Sequence, residues 1–121
     1  MNKRTNYATG HFLEKVAAFL LQCKGYHLVA RNFITGKGTG AGEIDLIMTR
    51  GKTLVFIEVK KRQNYITAGE AITLKNQQRT ARASEVFLQR HPKYTAYAIR
   101  YDAILFCPHH WPHHIKNAWH L

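Results

Sequence analysis

Gly42-Glu43-Ile44-Asp45-Leu46-Ile47-Met48-Thr49-Arg50-Gly51-Lys52-Thr53-Leu54-Val55-Phe56-Ile57-Glu58-Val59-Lys60 holds two apolar, β-branched runs on either side of a glycine turn. That pattern predicts a β-hairpin. Residues two apart on a strand share a face, so Ile44, Leu46 and Met48 oppose Glu43 and Asp45, and Val55, Ile57 and Val59 oppose Glu58 and Lys60. A two-residue turn at Gly51-Lys52, glycine first as type II′ prefers, sets Ile44 against Val59, Leu46 against Ile57 and Met48 against Val55. The same register puts Asp45 across from Glu58 and Lys60 beside Glu43. Six apolar side chains then gather on one face, and three carboxylates with an ammonium on the other.

Ionisable groups inside apolar strands need a partner or a task, and like charges placed opposite each other destabilise a sheet. A hard divalent cation removes the repulsion: Mg²⁺ takes oxygen ligands, typically one or two carboxylates completed by waters and phosphates. Lys60 would then meet a phosphate or an attacking water. The plainer reading is a pair of salt bridges, Glu43 to Lys60 and Glu58 to Lys60 or Lys61, on a solvated sheet face.

Asp45 followed by Glu58-Val59-Lys60 resembles the PD-(D/E)XK nuclease signature, an acidic residue and a (D/E)-x-K tripeptide on adjacent strands. Along nearly its whole length the chain resembles the YraN family of bacterial proteins. The resemblance is carried by Gly10, Glu14, Ala17, Leu21, Gly25-Tyr26, Asn32, residues 42–47, residues 55–60 and Arg62. It continues through Gly69, Ala71-Ile72-Thr73, Lys75, Arg100-Tyr101-Asp102, Ile115 and Asn117-Ala118-Trp119. The chain departs from the family in a longer, glycine-rich link over residues 34–41 and in the His- and Pro-rich stretch 108–114.

The resemblance implies an α/β domain with the restriction-endonuclease-like fold, a central mixed sheet flanked by helices, that binds DNA and hydrolyses phosphodiesters with Mg²⁺ or Mn²⁺. Asp45 and Glu58 would hold the metal, with the Val59 carbonyl as a third ligand. Lys60 would orient the nucleophile or stabilise developing negative charge. Glu14 matches the helix-1 acid of resolvase-like relatives; from periodicity alone it is equally an exposed residue paired with a neighbouring lysine. Gln77 or Gln78 occupies the helical position where many nucleases of this fold place a polar residue near the metal. Branched or single-stranded DNA is the implied substrate. A non-catalytic nucleic-acid-binding module that keeps the fold is the alternative, and the oligomeric state, a homodimer included, is open.

Composition fits this reading. Among 121 residues, eighteen Lys and Arg face seven Asp and Glu, a formal charge of +11. Such an excess points to a polyanion, nucleic acid before membrane, because the basic residues are dispersed and no strongly apolar helix accompanies them. Lys75, Arg79 and Arg82 recur at i, i+4, i+7 and form a basic helix face for phosphate, or simply a solvated one. Arg62 shares the Lys60 face at the strand end, where it and Lys61 can meet the DNA backbone. Cys23 and Cys107 form no C-x-x-C pair, so reduced and mostly buried thiols are expected. The apolar run Val16 to Leu21 is too short for a secretory or spanning segment, which predicts a cytoplasmic protein.

One domain over 1–121 is expected, in the order α-β-β-β-α-β. The first helix spans about Asn6 to Lys24, with Leu13, Val16, Ala17, Leu20 and Cys23 inward, Thr5 or Asn6 as N-cap and Gly25 at C′. Strands follow at Tyr26–Phe33 and in the hairpin, loops at 34–41 and 63–69, and a helix over Ile72–Arg90 with a narrow stripe of Leu74, Ala81 and Leu88. A last strand lies within Tyr97–Phe106, where Asp102 and Arg100 share a face and suggest a structural ion pair. The histidine pairs at 109–110 and 113–114 read as an exposed tail within residues 108–121 rather than a metal site.

Overall fold

The computed structural model describes residues 3–36, 42–64 and 68–119, with side chains from residue 11 onward except those of 68 and 69. Most of the glycine-rich loop and the middle of the loop before the second long helix therefore lie outside the described residues. Helix α1 runs Lys3–Cys23 and is followed by strands β1 (His27–Ile34), β2 (Glu43–Arg50) and β3 (Thr53–Lys61). A short helix α2 (Ala68–Ala71) leads into α3 (Leu74–Arg90), and strands β4 (Ala98–Phe106) and β5 (His113–Ile115) complete the order. The five strands lie in that sequence across one mixed sheet, with β3 and β4 parallel and the other neighbours antiparallel. A parallel pair needs a crossover connection, and α3 supplies it.

From Leu46 to Arg50 the hairpin register is the expected one: Leu46 pairs with Ile57, Met48 with Val55 and Arg50 with Thr53. The expected Ile44–Val59 pair is not part of the ladder, and Ile44 packs with Ile47 and Phe87 rather than with Leu46 and Met48. Gly51 has φ 58°, as the first position of a type II′ turn requires. Both faces of the hairpin are covered, however, rather than one. Leu46, Met48, Val55 and Ile57 pack under α1 with Ala17, Ala18, Leu21 and Ile104. Ile47, Leu54 and Phe56 pack on the other side with Ala83 and Phe87 of α3 and with Ala103 and Leu105. A central strand covered on both faces reads as a continuous apolar run, which residues 46–48 and 54–57 are.

Helix α1 ends as expected at Gly25, φ 93°, where the Gly25 and Tyr26 N–H groups donate to the Gln22 and Leu21 carbonyls in a Schellman closure. Its start differs: Thr5 and Asn6 lie inside the helix and do not cap it. The buried stripe also differs from Leu13, Val16, Ala17, Leu20 and Cys23. It is Glu14, Ala17, Ala18 and Leu21, while Leu13, Val16 and Leu20 are half-buried and Cys23 is exposed. Alanines at the contact bring the helix axis close to the sheet, so the larger side chains are left to flank it.

Helix α3 begins two residues later than expected, because Thr73 is its N-cap and accepts from the Asn76 N–H. The expected stripe of Leu74, Ala81 and Leu88 is not the buried one. Leu74 is 68% exposed, and Thr80, Ala83, Ser84 and Phe87 face the core instead. The two hydroxyls are tolerated there because each is bonded: Thr80 donates to the Glu43 carbonyl, and Ser84 pairs with the Tyr101 hydroxyl at 2.9 Å. Just before β2, Gly42 lies hard against this helix, since a Cβ added there would stand 2.6 Å from the Ala83 backbone nitrogen.

The exposed tail expected at 108–121 is, at its centre, the edge strand β5. It is fastened by Asp102, which is fully buried as part of the expected pair with Arg100. The Asp102 carboxylate accepts two hydrogen bonds from Arg100 and one from the Asn117 N–H, and lies 2.8 Å from His114 Nε2. Asn117 reaches it from the left-handed region, φ 56°, which Asn tolerates better than most residues. Burial alone would raise the Asp102 pKa, but these partners together hold it below the ordinary carboxylate value. Beyond β5, Trp119 is buried and stacks on Tyr101 at 4.2 Å.

Candidate functional site

The ladder between β2 and β3 closes at Leu46–Ile57, and beyond it Asp45 turns its carboxylate to the partner backbone, accepting from the Val59 N–H at 2.8 Å. This widening lets carboxylates gather at the end of an apolar hairpin. Glu58 follows the last pair, and its carboxylate meets Lys60 Nζ at 3.0 Å. Glu14 arrives from α1; it is buried, on the face that packs against the sheet rather than at the stripe's edge. The site lies at the carboxyl end of β3, beside its parallel neighbour β4, the end where open α/β sheets bind ligands.

Electrostatics single out these three acids. Burial raises the Glu14 pKa to about 7, assisted by the neighbouring Asp45. Burial, again assisted by Asp45, raises Glu58 to about 7 despite the opposing Lys60 ammonium. Asp45 is raised by burial as well, while the Val59 N–H and Lys60 act against the rise. Hydrogen bonding between the two side chains raises Glu14 and lowers Asp45. Glu14 Oε2 is buried with no hydrogen-bond donor and lies 3.6 Å from His11 Nδ1.

The chemistry of the donors suits a hard divalent cation: Asp45 adds repulsion to both Glu14 and Glu58, and Glu14 keeps an orphaned buried oxygen. Asp45 and Glu58 with the Val59 carbonyl would hold it and Glu14 would stand behind. Among the described residues no group of three or more His, Cys, Asp or Glu side chains is placed to hold a metal ion. A cation here would therefore draw much of its coordination from water and substrate oxygens, as Mg²⁺ commonly does.

A pH dependence follows from the raised values. An acid whose folded pKa lies above its unfolded one contributes stability that is complete below the unfolded value, 4.5 for Glu14 and Glu58, and lost as pH rises through about 7. Asp102 is shifted the other way, so its contribution is lost only as pH falls toward and below its ordinary 3.8. In EDTA the melting temperature is expected to fall as these two glutamates ionise, between about pH 5 and about pH 8. Mn²⁺ is expected to recover it mainly at the upper end, since ligands must be deprotonated to bind. Glu14→Gln and Glu58→Gln should each flatten the fall; a fall of unchanged size in both variants would remove these carboxyls as its source.

Other expected contacts are rearranged. Glu43 pairs with Arg79 at 2.7 Å and not with Lys60. That pair joins β2 to α3, and with Glu58, Asn76 and Thr80 it lines a polar niche of about 10 Å³, room for roughly one water. Of the basic helix face, Lys75 and Arg82 are exposed while Arg79 is half-buried against Glu43. Arg62 directs its guanidinium to the Lys61 and Ala71 carbonyls, bracing the strand end rather than facing solvent. Gln77 bonds the Ile72 carbonyl, and Gln78 is exposed. Asn32 lies beside Glu14 and lowers its pKa, and its Nδ2 stands 3.2 Å from His11 Nδ1. His11 escaped the motif reading, and Asn32 entered it only as a residue of the resemblance, with no role at the site. The one local signal was His11 three residues before Glu14, one helical turn away.

No described helix is long and apolar enough to cross a membrane. The profile described as "Uncharacterised protein family UPF0102" matches residues 13–106. The UPF0102 protein amb4503 of Paramagnetospirillum magneticum is 39% identical over 93% of this chain and 87% of its own length. UPF0102 proteins of Methylorubrum extorquens and Parvibaculum lavamentivorans are 37% and 40% identical over 98% and 93% of this chain, and over 90% and 82% of their own. Matched by the profile over residues 13–106 and by relatives near 40% identity over most of its length, the chain belongs to family UPF0102, the YraN family.

Proposed function

We propose that the protein is a metal-dependent nuclease of the PD-(D/E)XK type that binds DNA and hydrolyses its phosphodiester bonds. The observation that carries this reading is the gathering of Glu14, Asp45 and Glu58, all with raised pKa, beside Lys60 in a chain of charge +11. Carboxylates facing a polyanion weaken a pure binding surface, so in a chain with seven acids their concentration here calls for a cation. A bound Mg²⁺ or Mn²⁺ supplies charge neutralisation at the phosphate and acidifies a water. Asp45 and Glu58 would hold that ion with the Val59 carbonyl. Lys60 Nζ, kept near the site by Glu58, stabilises negative charge developing on the phosphate, and Glu14 stores or releases a proton beside Asp45. Cleavage of labelled duplex, flap, four-way and single-stranded DNA with Mn²⁺, Mg²⁺ or EDTA tests the reading. Cleavage of none of them by wild type in either metal would end it.

One observation favours a non-catalytic nucleic-acid-binding module: Glu58 and Lys60 already neutralise each other. Both readings predict salt-sensitive binding, with each duplex phosphate neutralised adding about −0.9 to the log–log slope. Lys75→Ala and Arg82→Ala are each expected to lower that slope by about one. Arg79→Ala should lower it less, because Glu43 already balances its charge. Affinity that is flat from low to physiological salt would rule out the basic helix face as a phosphate contact.

A further inference from the structure

Glu14 Oε2 is buried without a hydrogen-bond donor, although an imidazole nitrogen, His11 Nδ1, stands only 3.6 Å away. The reason lies on β1, where Asn32 Nδ2 meets the same His11 nitrogen at 3.2 Å. An amide nitrogen can only donate, so in the neutral ring Nδ1 accepts and Nε2 carries the proton. His11 therefore turns a lone pair, not an N–H, toward the Glu14 oxygen. Against the burial that raises the Glu14 pKa, the Asn32 amide acts in the opposite direction and favours the carboxylate form.

The backbone that presents this amide is not that of a regular strand. Asn32 has φ 55° inside β1. Arg31 pairs with Leu46 and Phe33 with Ile44, so Asn32 stands at the level of Asp45 and drops out of the pairing there. Asp45 in turn gives its carboxylate to the Val59 N–H of the next strand. Two neighbouring strands thus depart from the ladder at one level, the level of the acids. Asn tolerates the left-handed region better than most residues, but glycine sits there at no steric cost. A side chain kept on such a backbone, beside a cluster of buried acids, points to a task for that side chain.

We propose that Asn32 is a positioning residue: by occupying His11 Nδ1 it holds the ring in the Nε2–H tautomer and keeps Glu14 Oε2 open for a cation or its water. This role presupposes the cation of the proposed function, whereas the tautomer does not. A buried acceptor left unsatisfied costs stability. An imidazole N–H on Glu14 would remove that cost and, with it, the acceptor that the site needs. Asn32 prevents the exchange, so the metal-free fold gives up stability and the carboxylate stays available.

The test uses the full chain at pH 8, above the Glu14 value of about 7. Nitrogen NMR of the imidazoles is expected to find the wild-type His11 proton on Nε2. Asn32→Gly accepts the backbone but removes the amide, and should move that proton to Nδ1, facing Glu14. In EDTA its urea midpoint should equal or exceed that of wild type, because strain is relieved and Glu14 gains a donor. Its Mn²⁺ affinity by calorimetry should fall about tenfold to a hundredfold, the usual loss when a group behind a metal ligand is removed. Cleavage should fall with it. Asn32→Gly combined with His11→Phe takes the donor away again and should regain most of the lost Mn²⁺ affinity, a rescue that a merely structural Asn32 would not allow. A wild-type His11 protonated on Nδ1, which is read without any variant, would overturn the proposal. So would Asn32→Gly binding Mn²⁺ as wild type does, or a double variant as weak as the single one. The two readings separate. Mn²⁺-dependent cleavage by a wild type whose His11 proton lies on Nδ1 removes the role of Asn32 alone. A proton on Nε2 without Mn²⁺ binding removes the nuclease and, with the cation gone, the positioning role, but leaves the tautomer as described.

Discussion

Replacing Asp45 by Asn is expected to abolish metal-dependent DNA cleavage while making the metal-free protein more stable at pH 8. Asn is isosteric and its amide oxygen still accepts from the Val59 N–H, so the local backbone is kept. What is lost is a charge that raises both Glu14 and Glu58. Removing it relieves repulsion among buried carboxylates, so the melting temperature in EDTA should rise. The same change deletes a cation ligand, and the Mn²⁺ binding heat measured by calorimetry should vanish together with activity. Lys60→Ala separates holding the ion from using it: binding heat should persist while cleavage falls about a hundredfold to a thousandfold, the cost of losing one preorganised donor of charge stabilisation. An Asp45→Asn protein that melts lower at pH 8 and binds Mn²⁺ as wild type does would show that Asp45 is only a structural acceptor for Val59.

The largest loss of stability is expected from Asp102→Ala. The side chain is fully buried, and its removal leaves the Arg100 guanidinium without its anion and the Asn117 N–H without its acceptor. Breaking a buried charged pair from one side costs about 3–5 kcal/mol, a large share of a small domain's roughly 5–15 kcal/mol. The lost stability should appear as a lower urea midpoint. Because β5 and the Trp119 segment are fastened through Asp102, amide exchange near residues 113–119 should accelerate first. Arg100→Ala with Asp102→Ala should cost less than the sum of the two single changes, since no unpaired charge remains. A loss below about 1 kcal/mol for Asp102→Ala would mean that the cluster is wetter and looser than its geometry indicates.

Local pattern and tertiary packing each decided different parts of this molecule. The hairpin is local: Gly51 has few alternatives at the first turn position, and a one-residue slip would move every apolar side chain to the wrong face, so residues 42–60 specify their own register. The Schellman end of α1 is local too, because Gly25 accepts the positive φ that closes it. The acidic cluster was legible for the same reason, once strand alternation placed Asp45 and Glu58 at equivalent depths of two neighbouring strands.

What failed to show was whatever depends on a partner distant in the chain. Ranking α1 by hydrophobicity selects Leu13, Val16 and Leu20, whereas close packing on the sheet selects Ala17, Ala18 and Leu21 and carries Glu14 inward with them. Thr80 and Ser84 belong to no expected stripe, and they are core residues because Glu43 and Tyr101 bond them. Arg79 read as a free phosphate contact until the fold brought Glu43, 36 residues earlier, within 2.7 Å. His113-His114-Ile115 has no strand pattern and becomes one because Asp102 captures His114 and the Asn117 N–H. By itself the sequence determined the two long helices, the first four strands and the hairpin register from Leu46 to Arg50, since these rest on backbone sterics and on periods of 3.6 and two. Which helix face is buried, which cation each acid meets and how the C-terminal segment is held were decided only by the tertiary structure, because burial and pairing belong to surfaces that no single segment contains.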